Sequence, residues 1–481
     1  MQRAFLAVCA TFWTLISAFA VHAQSIETNS YLTPEAVLER SIRHFPAILE
    51  SLAQRNAAQG RELSAMGAFD IVFSARSRHF LSGFYNGQEV NLRAERNLRP
   101  LGGKVYGSFR NSQGTFPVYE DLAFTNEIGE FKIGALFSLL RNRTIDSRRF
   151  ALRDTALATQ QADLEVLLTQ LGVQHQALSA YWRWVANGHK LEIYTGLLDL
   201  AITRQEGLEK QVETGARAAI FLTENQQNIT RRRIFKRQAE RDFAAAQAQL
   251  ALYYRDNEGE MEEPGIDILP PIPVMDGIVA GWMISNAADV PEILRLRPDL
   301  SVITTAIKRA QGRIALAEND LKPSLDFSME ASNDFGRIAQ GGVSRDGAET
   351  ILGLRFSLPL ERRQAKGRIA SAQAEAEALD RQAKLLEDQI AIEIQTILID
   401  LTTASDLLKL AALDVTQADI MKNAEQRRFA QGASDFFLVN VREETAADAR
   451  IRYIDAELVG HLSRADYDAA SIDTRALGIA P

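Results

Sequence analysis

The chain has one cysteine in 481 residues, and that cysteine, Cys9, falls in an apolar stretch near the start. Residues 1–23 have a basic start at Arg3, an apolar centre and Val21-His22-Ala23 before Gln24, the layout of a secretory signal peptide cleaved ahead of Gln24. The mature chain then has no thiol, which excludes disulfides and cysteine-ligated metals. Cys9 also lacks the small-residue context of a lipoprotein. No later run approaches eighteen apolar residues, so a transmembrane helix is excluded and any membrane crossing must be made by strands. The formal charge of −8 and pI near 5.5 give no basic footprint, so nucleic acid is not an expected partner. The six histidines are scattered without metal-ligand spacing, and His175 and His189 read as packed or solvated side chains. No nucleophile stands beside a base, and the glycines do not form a phosphate loop. The expectation is no catalytic residue, no cofactor and no metal: not an enzyme.

Proline is missing from 146–213, an unbroken run of helix formers that would make a rod on the order of 100 Å long. Within it Leu157, Leu164, Leu171, Leu178 and Val185 recur at heptad spacing, the mark of a helix lying along other helices. A second run, 361–428, carries Ile390, Ile394, Ile397, Leu401, Ala404, Leu408, Ala411 and Val415 at alternating steps of four and three. Rods of nearly equal length point to a duplication. Gly60 lies fourteen residues after Pro46, and Gly312 fourteen after Pro298. Phe137-Ser138-Leu139-Leu140 before the first rod matches Phe356-Ser357-Leu358-Pro359-Leu360 before the second, and each rod is followed by a glycine, Gly215 or Gly432. Each half reads as short helix, extended segment, long helix, glycine turn, short helix.

The first repeat spans 24–255, with strands in 70–140, a long helix over 146–213 and a short one over 217–255. An acidic, proline-rich connector, 256–285, follows. The second repeat spans 286–470, with strands in 323–358, a long helix over 361–428 and a short one over 435–469; a tail, 471–481, ends the chain. Pro34 and Pro46 in the first half, and Pro298 in the second, mark helix starts or restarts; Thr33 and Asp289 are the matching caps. Asn86-Gly87 is a hairpin signal.

In the extended segments the period falls to two. Ile71, Phe73 and Ala75 alternate with polar neighbours, as do Phe131, Ile133, Ala135 and Phe137, then Leu325, Phe327 and Met329, then Leu352, Leu354 and Phe356. One apolar and one polar face suit either a half-buried sheet or a membrane barrel, lipid-facing outside and wet within. Beside two long rods and after a signal peptide, the barrel is the reading taken, with Phe73, Phe131, Ile133, Phe327 and Leu354 toward lipid. One chain supplies too few strands to close it, so the fold class is mainly α with a β-barrel part, a duplicated unit closed only by oligomerisation.

Leu-Thr-Pro-Glu-Ala-Val at 32–37, Asp-Val-Pro-Glu-Ile-Leu-Arg-Leu-Arg-Pro-Asp-Leu at 289–300, Pro323-Ser-Leu-Asp, Phe356-Ser-Leu-Pro-Leu and the two glycine turns together resemble TolC-like outer-membrane efflux proteins over nearly the whole mature chain. The resemblance implies a homotrimer in the outer membrane, with a long periplasmic extension, forming the duct of a tripartite efflux or type I secretion system beside a periplasmic adaptor and an inner-membrane pump. It implies adaptor docking at the turns, here Gly215, Phe221, Gly432, Asp435 and Phe436. The acidic-ring positions of that family are occupied by Leu438 and Val441, and the latch positions by Phe429, Ser434 and Phe221, so a closing contact would be mostly apolar. Glu224, Glu443 and Glu444 lie nearby as candidates for an acidic constriction. The first extended segment is nearly twice its counterpart, and the surplus is either a surface hairpin or two more barrel strands. The competing function is a periplasmic coiled-coil scaffold or adaptor without a barrel.

Overall fold

A computed structural model of the chain describes residues 31–116, 124–271, 282, 290–337 and 347–479. The signal peptide, the Asp289 cap and much of the 256–285 connector lie outside those residues. The first half gives α1 (Pro34–His44), α2 (Pro46–Met66), β1 (Ile71–His79), β2 (Gln88–Asn97), β3 (Lys104–Gln113), β4 (Gly129–Ser138), α3 (Ser147–Glu213) and α4 (Ile220–Ala251). The second gives α5 (Val290–Leu296), α6 (Pro298–Asp320), β5 (Ser324–Phe335), β6 (Ala348–Ser357), α7 (Arg363–Ala430) and α8 (Phe436–Ala470). Both halves break their first helix at a proline, Pro46 and Pro298, because proline has no N–H to continue the ladder but fits a first turn. The long helices have 67 and 68 residues, within two residues of the sequence-based bounds at every end.

The chain separates into two compact units that do not follow the repeat. One is built from the chain up to Arg40 with Ala177–Gly281 and Leu407–Leu458; the other from Ser41–Gln176, Trp282–Asp406 and the chain from Val459 on. Each therefore draws on both halves of the sequence.

The second unit holds a six-stranded antiparallel sheet in sequence order, β1 to β6. Its register places Phe73, Ala94, Gly107, Ile133, Ala331 and Thr350 in one row and Ala75, Leu92, Phe109, Phe131, Asn333 and Ala348 in another, all on one face. Residues on alternate positions share the opposite face, since successive strand side chains point to opposite sides. The surplus length of the first extended segment is β2 and β3, full members of the sheet rather than a flap on it. Asn86-Gly87 does not make the expected two-residue hairpin, because β1 ends at His79 and an eight-residue loop precedes β2. The Asn86 side chain is engaged elsewhere: its Oδ1 accepts from the Thr115 hydroxyl at 2.7 Å and the Thr115 N–H at 3.2 Å. Asp146 caps α3 by accepting the N–H groups of Arg148 and Arg149, each at 2.9 Å.

In the first unit the α3 seam closes as its spacing predicts, with Leu178 and Val185 buried beside Tyr181 and Trp184. Buried Tyr181 satisfies its hydroxyl by donating to the Leu32 carbonyl at 2.9 Å, and Trp184 packs on Phe243. The α7 seam from Ile390 to Leu408 is buried at every expected position, in one unit up to Ala404 and in the other at Leu408.

Candidate functional site

Three groups of residues carry the functional expectations: the glycine turns, the acidic residues beside them, and the strand faces. At the turns, Gly215 (φ 73°) and Gly432 (φ 76°) are both left-handed. In each the glycine N–H bonds three residues back, Gly215 to Val212 and Gly432 to Phe429, at 3.0 Å. The next N–H reaches five back, Ala216 to Gln211 (2.8 Å) and Ala433 to Arg428 (2.9 Å). This is the Schellman arrangement, which satisfies the last carbonyls of a helix and requires a positive φ that only glycine adopts without cost. A Cβ at either glycine would meet nothing within 4 Å, so the constraint is backbone conformation and not space.

The helices leaving the turns differ. Asp435 accepts the Leu438 N–H at 2.7 Å and so caps α8, whereas Ala219 at the start of α4 has no side chain to do this. Phe436 is fully buried, with Phe221 and Phe429 packed against it at ring separations of 6.4 and 6.2 Å. The Arg217 guanidinium lies 4.6 Å from the Phe429 ring and 5.4 Å from that of Phe221. Ser434 donates to Glu425. Phe221, Phe429 and Phe436 thus pack together within one chain, while neighbouring Phe437 is 65% exposed.

The acidic group departs from expectation. Glu443 is not available to line a constriction: its carboxylate is completely buried between helices. Arg204 on α3 grips it with both terminal nitrogens, one of them at 3.1 Å. Arg232 on α4 donates at 3.1 Å and Gln426 on α7 at 2.9 Å. Burial acts to raise the Glu443 pKa, but hydrogen bonds and charge from Arg204, Gln426 and Arg232 outweigh it and hold the carboxyl below the ordinary value. Arg232, itself fully buried, also donates to the Leu197 carbonyl at 2.7 Å. The signal that could have found Arg204 and Arg232 was helical spacing: Arg204 falls between buried Ala201 and Leu208 on α3, and Arg232 follows buried Asn225 and Ile229 on α4. Glu444 is paired with Arg231, and Glu224 is half-buried.

The strand faces differ sharply in chemistry. On the first, Phe73 (67%), Ile133 (68%) and Leu354 (71%) are exposed, with Phe131 about half so. Phe327 lies on the same face, in register with Phe137 and Leu354. On the other face charges are paired across strands: Lys104 with Glu95 (2.7 Å), Arg110 with Glu130 (2.8 Å), and Lys132 with Glu330 (3.9 Å). Tyr106 donates to Glu330 there, and the Arg93 guanidinium lies 3.8 Å from the Tyr106 ring centre. Among the described residues no helix is long and apolar enough to cross a membrane.

Residues 290–465 match the model of the outer membrane efflux protein family. That stretch is an outer membrane efflux protein domain. The fold of the whole chain is similar to that of solved outer-membrane channels. With the open-state MtrE channel of Neisseria gonorrhoeae it has 13% identity and a TM-score of 0.63, covering 91% of this chain and 88% of that one. With VceC of Vibrio cholerae the values are 14% and 0.61, covering 91% and 95%. With CmeC of Campylobacter jejuni they are 14% and 0.61, covering 93% and 90%. No curated protein matches. The efflux-protein domain covers α5 to most of α8, and the first half of the chain supplies the matching set of elements and four of the six strands.

Proposed function

We propose that this chain is the outer-membrane duct of a tripartite export system, working as a homotrimer that receives substrate from an inner-membrane pump through a periplasmic adaptor. The carrying observation is the sheet: a continuous exposed apolar face backed by a face of cross-strand ion pairs, which suits strands with lipid on one side and water on the other. Phe73, Phe131, Ile133, Phe327 and Leu354 would then contact lipid. Among the described residues the sheet's two edges, β1 and β6, are left unpaired in one chain, and closing them calls for further copies. The glycine turns, reached through 67 and 68 residues of helix after the strands, are the proposed adaptor contacts, with exposed Phe437 and the Asp435-capped start of α8 beside them.

The test is extraction from outer membranes with mild detergent, followed by electrophoresis with and without heating, together with drug susceptibility of a deletion strain. Heat-labile trimers and a sensitised strain are expected. A monomer in the soluble periplasmic fraction would overturn the reading in favour of a scaffold without a barrel.

A further inference from the structure

We propose that the β2–β3 hairpin is a calibre insert, giving this chain a wider outer pore than its duplicated plan requires and admitting correspondingly bulkier solutes. The inference rests on the trimeric duct reading and deepens it. Among the described residues the second repeat contributes two strands, β5 and β6, whereas the first contributes four. Two strands per repeat in three copies would close a barrel of about 12; six per chain close one of about 18, the range in which barrels hold an open aqueous channel.

The hairpin belongs to the wall by three separate observations. It pairs along its length on both sides, from Ile71↔Arg96 to His79↔Gln88 with β1 and from Lys104↔Leu136 to Arg110↔Glu130 with β4. Its apolar residues continue the exposed face, with Leu92 and Phe109 in line with Phe131 and a Phe109–Phe131 ring separation of 4.7 Å. Its charged residues continue the other face, through Glu95, Lys104 and Arg110. A flap lying on the sheet would share neither face nor register.

The register also shows how to remove it. In a chain lacking residues 88–128, Gly129 takes the place of Gln88 opposite His79. Glu130 then replaces Glu89 beside Arg78, and Phe131 replaces Val90 on the apolar face. Both faces of β4 keep their sides, so β1 and β4 can pair directly.

The full-length protein and this deletion variant are reconstituted in planar bilayers, and polyethylene glycols of graded size are added to each side in turn. The largest polymer that enters from the strand end should be smaller in the variant by about a third in radius, since barrel diameter grows roughly linearly with strand number. Electron microscopy of the full-length particle counts the strands directly, and decides the matter even if the variant does not assemble. A wall of about 12 strands with β2–β3 outside it, or an unchanged polymer limit in an assembled variant, overturns the inference while leaving the duct intact. Particles that are not rings of three copies overturn the duct reading itself.

Discussion

The sheet and the helical bundle solve opposite problems with the same residue types. In the bundle the aliphatic seams of α3 and α7 are turned inward, and the Glu443 carboxylate is carried inside with them. In the sheet the phenylalanines and leucines are on an exposed face, and the charges lie on the other side, paired in partial exposure. Burial of an ion is tolerated in the bundle because Arg204, Arg232 and Gln426 replace the water that Glu443 loses. Exposure of an apolar face is tolerated in the sheet only if something other than water covers it. A charge change in the two regions should therefore fail for different reasons: loss of pairing in one, unfavourable transfer to lipid in the other.

The largest effect is expected in the bundle. Glu443→Ala leaves Arg232 buried and unpaired and should cost about 3 to 5 kcal/mol, read as a fall in the unfolding midpoint of the purified protein. Replacing Glu443, Arg204 and Arg232 together by apolar residues of similar volume should recover most of that loss. The pH dependence has a defined sign. A carboxyl whose folded pKa lies below its unfolded value stabilises above the unfolded value, near 4.5, and its contribution is lost as pH falls through the folded value. Acid unfolding below about pH 4.5 should thus be less steep in Glu443→Gln than in the parent; an unchanged slope would count against a stabilising ion pair.

In the sheet, Phe131→Lys or Phe327→Lys should cost about 2 to 4 kcal/mol at mid-membrane depth, measured as loss of assembled protein in the outer-membrane fraction. Ser332→Lys, on the polar face, should assemble normally. Equal tolerance on the two faces would show that the apolar face does not meet lipid.

At the turns, Gly215→Val and Gly432→Val should each cost about 1 to 3 kcal/mol locally, because a β-branched residue is forced to positive φ. Export should fall while trimer yield holds, and drug susceptibility measured beside trimer abundance checks both. Smallest is the cap: Asp435→Ala should cost about 1 kcal/mol in thermal stability. Ala218→Asp, three residues after Gly215 as Asp435 is three after Gly432, offers the first turn the same cap and should gain a comparable amount.

Much of this fold was legible because its signals are periodic. The heptads of α3 and α7, the period-two strands and the repeated proline and glycine positions each follow from backbone geometry alone. Asn86-Gly87 misled because a two-residue turn is only one use of an asparagine, and here its side chain is taken by Thr115, distant in sequence. Glu443 misled for a related reason. Its place beside other acids on α8 looked like a solvated or channel-facing stripe, while its partners Arg204 and Arg232 come from the other repeat, hundreds of positions away. The choice between a hairpin flap and added strands needed pairing partners, which alternation along one strand does not name.

The ion cluster around Glu443 joins all four helices that flank the two turns, two from each copy of the duplicated unit. After a duplication each copy is ordinarily free to drift. Here a substitution at Glu443 strands a cation on α4, and one at Arg204 takes the two-nitrogen grip from the buried anion on α8. The two copies can accumulate changes at these positions only in step, so across descendants of this gene Arg204, Arg232, Gln426 and Glu443 should be inherited or exchanged as a set, long after their surroundings have lost any trace of common origin.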